Sequence, residues 1–261
     1  MYKKNSIQVL GAYGTKAKGF GTTSFMLNPS TVIDAGNLLS ALQEKSMEVE
    51  SIFLTHSHLD HISDIAYIID NYFYQRTKTL KILGLPQTIE ALKTHFLNDI
   101  IWPDFSKIKL ESSDVMAISY EEVHYEKEYM LEDETSLMPF QTDHTVPSCG
   151  YIYKKNENAV LITADTYALD NVIKILNAHK YISALVVECS FPSNMQTLAQ
   201  VSKHLTPKLL FEALQKLKRD DISLYIHHMK PSSLEKISEE VDRYKGSYSP
   251  ILLKDGDFIT F

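Results

Sequence analysis

Short apolar runs alternate with amphipathic stretches along most of this chain. SIQVLG, STVIDAG and VESIFLTH are rich in Val and Ile and bounded by Gly, Asn or Pro, so they read as β-strands. After the third, Ile65, Ile68, Ile69, Tyr72 and Phe73 recur at helical spacing and predict a helix capped near Ser63 or Asp64. KILGLP reads as a strand, and a helix beginning near Pro86 carries Ile89, Leu92, Phe96 and Leu97 on one face. The second half repeats the style. CGYIYK and NAVLITAD predict a hairpin turned by KNEN, Leu169, Val172, Ile173 and Leu176 mark a helix, and SALVVECSF reads as a buried strand. Thr206-Pro207 is an N-cap followed by proline at the first helical position, ahead of Leu210, Ala213, Leu214 and Leu217. SLYIHH is a further strand, and Ser232 with Glu235 predicts a capping box for a helix through Ile237 and Val241. The acidic segment 121–135 is expected to be a solvated hairpin or loop. With no linker, heptad array or low-complexity tract between the halves, residues 1–261 are expected to form one α/β domain, two sheets with helices outside.

At 261 residues and 44% hydrophobic content, the chain can bury a large core. Its net charge of −7 argues against a non-specific binder of long nucleic acids. A small anionic substrate stays open, because bound divalent ions would reverse the local field. Cys149 and Cys189 make no disulfide framework and fit a reducing cytosol. MYKKNSIQVLGAYG reads as a first strand rather than a signal peptide, and no stretch approaches the roughly 20 apolar residues of a membrane span. The expectation is a cytoplasmic protein with no membrane partner.

The chemistry concentrates in FLTHSHLDH, residues 53–61, which holds three of the ten histidines. A lone loop histidine is usually a polar surface residue, but four ligand-type residues spaced H-x-H-x-D-H call for another account. In a loop following a strand, alternate side chains can point the same way, so His56 and His58 can share one ion while Asp60 and His61 turn toward a second. Imidazoles with an occasional carboxylate suit zinc, iron or manganese better than calcium or magnesium. His95, His124 and His179 have no motif around them and are expected to be exposed.

THSHLDH resembles the diagnostic motif of the metallo-β-lactamase superfamily. That resemblance implies an αββα sandwich, a four-layer α+β arrangement, with two divalent metals at one edge (zinc, with manganese or iron as alternatives). It implies three further ligands. His144, in TDHTVPSCG, would complete the first site with His56 and His58. Asp165, closing LITAD, would bridge both ions. His228, in YIHHMKP, would complete the second site with Asp60 and His61. Read by itself, Asp165 could instead cap the following helix. His227 competes with His228, which fits the T-H-x-K-P register of relatives.

Within that superfamily, HSHLDHISDI is similar to the class II cyclic-nucleotide phosphodiesterase signature. IIWPDF, HTVPSCGY, ITADT, VECSFP, KHLTP and HHMKP follow in family order over nearly the whole chain. Asp64 stands where the signature has glycine, which is expected to alter a hydrogen bond behind the metal ligands or the mouth of the pocket. Cys149 stands where relatives often carry Thr and is expected to be a buried small residue. A bridging Asp165 speaks against true lactamases, and His58 against oxygen-reducing diiron members, which have glutamate there. VVECSF and KHLTP also resemble the tRNA 3′-processing endonucleases, implying that Glu188 and His204 act together. His204 read alone could be an ordinary helix-flanking residue, whereas Glu188 in an apolar strand needs a partner.

The resemblance therefore implies hydrolysis of 3′,5′-cyclic nucleotides (cAMP or cGMP) to 5′-monophosphates through a hydroxide shared by two metals. Asp60 or Asp165 would orient it, and His204, held by Glu188, would protonate the departing O3′. IIWPDF is a candidate contact for the base. A homodimer is implied. Alternatives are a cyclic-dinucleotide or RNA 3′-processing hydrolase and, in another class, a metal-loaded nucleotide sensor without turnover; a lactamase or thioesterase ranks below these.

Overall fold

A computed structural model describes residues 5–261. The first half lays β1 (Ser6–Gly11), β2 (Ser24–Asn28), β3 (Thr31–Ile33), β4 (Ser51–Phe53), β5 (Leu80–Gly84) and β6 (Ile118–Glu122) side by side. The second half builds another sheet from β7 (Tyr129–Met130), β8 (Ser136–Gln141), β9 (Cys149–Lys155), β10 (Asn158–Ile162), β11 (Ile182–Glu188), β12 (Ser223–His227) and β13 (Ile251–Leu252). A last strand, β14 (Phe258–Thr260), returns to flank β1. The two sheets share one pairing pattern. From β14 across to β6, three antiparallel pairings precede three parallel ones. The same succession runs from β7 to β13.

Side chains on alternate strand positions feed two different cores. Phe25, Ile33, Phe53, Tyr151, Val160 and Val186 pack between the sheets. On the outer side of the first sheet, Ile52 and Ile82 meet Leu38, Ile65, Ile68 and Ile89 from α1 (Leu38–Leu42), α2 (Leu59–Asn71) and α3 (Pro86–His95). On the outer side of the second, Leu161, Leu185 and Ile226 meet α4 (Asp170–Ala178), and, past α5 (Gln196–Ser202), α6 (Pro207–Leu214) and α7 (Leu234–Tyr244). Layer order is therefore helix, sheet, sheet, helix, the expected αββα sandwich. Fully burying a side chain such as Ile65 or Ile68 is worth about 1.5–3 kcal/mol, which holds α2 to its sheet. Among the described residues no helix is long and apolar enough to cross a membrane.

Two local expectations change. Helix α2 begins at Leu59, with His58 in extended backbone at the N-cap position, so Asp60 and His61 occupy its first turn and Asp64 lies inside the helix. Helix α7 opens without a side-chain cap: Ser233 precedes Leu234 after a 3₁₀ turn, so the Ser232–Glu235 box does not form its start. Segment 121–135 ends β6 and supplies β7, which pairs with β8 as one arm of the expected hairpin. The N-cap of α6 stands as expected, Thr206 Oγ1 accepting from Leu209 N with Pro207 beside it. Helix α4 is preceded by Leu169, so Asp165 caps no helix.

At the carboxyl ends of β3, β10 and β12 the chain bends through the left-handed region: φ is 59° at Asp34, 53° at Ala164 and 62° at His228. Such values are uncommon away from glycine and strain the backbone. Here they turn the side chains that follow each strand toward one edge of the sandwich.

Candidate metal centre

That edge gathers all seven expected ligands. His56 and His58 follow β4, Asp60 and His61 open α2, His144 follows β8, Asp165 follows β10 and His228 follows β12. Two of the groups whose donor atoms lie close enough to share one ion match the expected sites, His56, His58, His144 and Asp165, and Asp60, His61 and His228; a third, Asp165, His204 and His228, overlaps them. Asp165 lies between them. Its Oδ2 is 3.7 Å from His56 Nε2, 3.5 Å from His61 Nε2 and 3.8 Å from His144 Nε2, and its Oδ1 is 3.2 Å from His228 Nε2. Asp60 Oδ2 closes the second group at 3.4 Å from His228 Nε2 and 3.9 Å from His61 Nε2. A tetrahedral site with arms of about 2.0–2.1 Å has donor–donor edges of roughly 3.3 Å, so these separations fit a cation enclosed by the donors.

Two atoms make the fit specific. His56 Nε2 and Asp165 Oδ1 are buried without a hydrogen-bond partner among the described residues, although such groups ordinarily find one. Both face the cluster, where an ion would satisfy them.

The charges are arranged for the same end. Burial, opposed by Asp165, Asp34 and Asp60, would lower His61, yet the three carboxylates win and hold it well above the usual imidazole range. His56, buried and beside His61, is pushed well below that range. Burial should raise Asp165, but His228, His61 and His56 hold it well below the carboxylate range. Asp60 is likewise lowered against its burial by His61 and His228. The cluster thus keeps its carboxylates ionised, and the proton on His61 is what a bound cation displaces.

The ring nitrogens turned away from the cluster are also held, and here the sequence reading missed residues. Asp34, at the end of β3, takes Thr55 N on Oδ1 (2.8 Å), and both Thr55 Oγ1 (2.8 Å) and His61 Nδ1 (2.7 Å) on Oδ2. Because Thr55 gives its one hydroxyl proton to Asp34, His56 Nδ1, 3.0 Å from Oγ1, must be the donor there. His144 Nδ1 donates to the Lys203 carbonyl at 3.1 Å, leaving Nε2 toward His58 Nδ1 at 3.1 Å. Such partners fix tautomer and ring orientation. A carboxylate closing an apolar strand was the available signal: STVIDAG carries it as plainly as LITAD does.

The competing histidine is settled by its surroundings. His227 points between the sheets, its ring edge-on to Phe25 at 5.3 Å, and burial beside His228 pushes it down to about 3. His228 is the residue turned to the cluster. Glu188 and His204 also meet: His204 Nδ1 donates to Glu188 Oε1 at 2.8 Å, and its ring stacks on His228 with centroids 5.3 Å apart. Burial alone would lower His204, but the Glu188 charge and hydrogen bond raise it. His204 is therefore no ordinary flanking residue.

Asp64 does not reach the donors. It is a buried residue of α2, and its Oδ2 accepts Leu39 N at 2.8 Å, tying α2 to the start of α1. The expected influence on the pocket is thus replaced by a structural tie. Asp64→Ala is expected to cost about 1 kcal/mol, the worth of such a cap, with metal content unchanged; a urea melt with metal analysis reads both, and loss of metal would contradict this placement. Cys149 is fully buried, as expected. IIWPDF is placed against the side of α2, Trp102 lying edge-on to Tyr67 at 5.7 Å, about two turns along the helix from Asp60.

Comparison with known proteins shows the family and the fold. A family model described as cAMP phosphodiesterases class-II matches residues 3–238. The 3′,5′-cyclic-nucleotide phosphodiesterase 1 of Saccharomyces cerevisiae is 24% identical over 212 residues, covering 70% of this chain and 55% of that one. The chain spans about half the length of the curated relatives it matches. Unliganded yeast PDE1 superposes with a TM-score of 0.80 at 18% identity, covering 98% of this chain and 99% of that one. The metallo-β-lactamase fold protein YhfI from Bacillus subtilis gives 0.75 at 18% identity, covering 98% and 100%. At such identities these structures establish the fold.

Proposed function

Since the chain belongs to the class-II cAMP phosphodiesterase family, we propose that it hydrolyses 3′,5′-cyclic nucleotides to 5′-monophosphates with two divalent ions held by His56, His58, Asp60, His61, His144, Asp165 and His228. The observation that carries this reading is the placement of Asp165 between the two donor groups, with a buried oxygen that no hydrogen bond among the described residues satisfies. Zinc is the ion the imidazole-rich set and its donor spacing suit best. Both sheets supply donors, so residues 1–261 are read as one catalytic unit.

Two divalent ions at this edge supply positive charge for the phosphoryl oxygens and acidify water. The chain's own groups do the rest. Asp60, held low and partly open to solvent, accepts from and aligns the attacking water opposite the P–O3′ bond. His204 offers its Nε2 to the leaving group, because Nδ1 is taken by Glu188. As the P–O3′ bond breaks, His204 gives its proton to O3′. Glu188 is a positioning residue that keeps His204 charged until then. A raised, protonated His204 also attracts the anionic phosphate before reaction.

Metal analysis coupled to turnover tests this. About two ions per chain are expected, with hydrolysis of cAMP or cGMP exceeding that of cyclic dinucleotides and of a tRNA precursor. A metal-replete protein that binds cyclic nucleotide and leaves it intact would make this a sensor and end the proposal.

A further inference from the structure

Ser190, two residues beyond Glu188 in VECSF, is fully buried and stands at the junction of the two histidines nearest the second donor group. Its Oγ lies 2.8 Å from Glu188 Oε2, 3.1 Å from His204 Nδ1 and 2.9 Å from His228 Nδ1. A hydroxyl has one proton to give, so three neighbours force a choice. Glu188 decides it. Each of its oxygens already accepts a backbone N–H, Thr166 N on Oε1 and Ser190 N on Oε2, both at 3.1 Å, and Oε1 accepts His204 as well. With every facing group donating to Glu188, the close Oγ–Oε2 contact holds the serine proton. With the His204 Nδ1 proton given to Glu188 Oε1, Ser190 Oγ is left as an acceptor for the other ring, and His228 Nδ1 must donate to it. That leaves His228 Nε2 without a proton, facing Asp60, Asp165 and His61.

We propose that Ser190, polarised by Glu188, is the positioning residue that fixes the metal-binding tautomer of His228 and so governs loading of the second ion. The device matches the one in the other sheet. Asp34 and Thr55 orient His61 and His56, and Glu188 and Ser190 orient His204 and His228, each pair a carboxylate and a hydroxyl at strand ends of one sheet. The second pair differs in serving one metal-facing ring and one substrate-facing ring. Loading of the second ion and placement of the proton donor therefore share a single hydroxyl.

The inference rests on the two-ion reading, and its test separates the two. Metal-free protein is titrated with Zn²⁺ against a chromophoric chelator to obtain two stepwise affinities. Ser190→Ala is expected to weaken the second affinity about 10–100-fold, as loss of a partner behind a metal ligand does, and to leave the first unchanged. Ser190→Thr keeps the hydroxyl and restores the second. Glu188→Gln supplies an amide donor toward Oγ, turns the serine proton to His228 Nδ1, and is expected to weaken the second affinity while every ligand is intact. It carries the test if Ser190→Ala fails to fold. Wild-type protein that holds two ions while folded Ser190→Ala or Glu188→Gln holds both as tightly overturns this inference alone. Wild-type protein that holds fewer than two overturns the reading beneath it.

Discussion

Asp165→Ala is expected to empty both metal positions and reduce kcat for cyclic nucleotide by about 10³-fold or more, since the charge stabilisation of the transferring phosphoryl group goes with the ions. The reason is position. One buried carboxylate lies within 3.2–4.0 Å of nitrogens on His56, His61, His144, His204 and His228, touching both expected donor groups. Removing any single imidazole leaves one group whole. Without Asp165, the first group loses a donor and the second loses the carboxylate that lies 3.5 Å from His61 Nε2 and 3.2 Å from His228 Nε2. The metal-free protein provides an independent readout. Asp165 is a principal counter-charge to His61, which is held protonated in the absence of metal, and breaking a buried pair from one side costs about 3–5 kcal/mol. Chelator-treated Asp165→Ala should therefore melt below chelator-treated wild type. Retention of two ions by the variant, or an unchanged melt, would show that this carboxylate does not join the groups.

His204→Ala should behave differently: about two ions per chain retained, and kcat lowered about 10²–10⁴-fold, the usual worth of a positioned proton donor. The substrate series is the sharper part. A ribose O3′ is a poor leaving group and needs the proton, while a p-nitrophenolate leaves readily without one. The variant should lose most of its turnover on cAMP and little on a p-nitrophenyl phosphodiester. Equal losses on both would assign His204 to phosphate binding instead. Its geometry favours the donor role, because Glu188 occupies Nδ1 and leaves Nε2 as the atom available to substrate.

Much of this centre could be read in the chain because its ligands follow apolar strands and carry a spacing that physics restricts. H-x-H-x-D-H places alternate donors on one side just where a strand gives way to a helix. The αββα layers were likewise legible from Val- and Ile-rich runs followed by helical periodicity. β2, β6 and β8 were not. β8 contains Pro139 and β6 ends in two glutamates, so local preference argued against strands that pairing with neighbours nevertheless forms. The start of α2 was set too late for a related reason: the first turn is made of ligand-type residues whose pattern is chemical rather than periodic.

The sequence by itself determined which residue types could grip a cation and the family they belong to, since both depend on short-range order along the chain. Only tertiary structure decided which nitrogen each ring presents. Asp34 lies 27 positions before His61, and His228 lies 38 after Ser190, so their hydrogen bonds exist only once neighbouring strands of each sheet bring their ends together. It also separated His227 from its neighbour, because a left-handed turn at one residue sends adjacent rings to opposite surroundings, one toward Phe25 and the other toward Asp165. A proton's location in such a network follows from who accepts and who donates across space, and linear order does not carry that information.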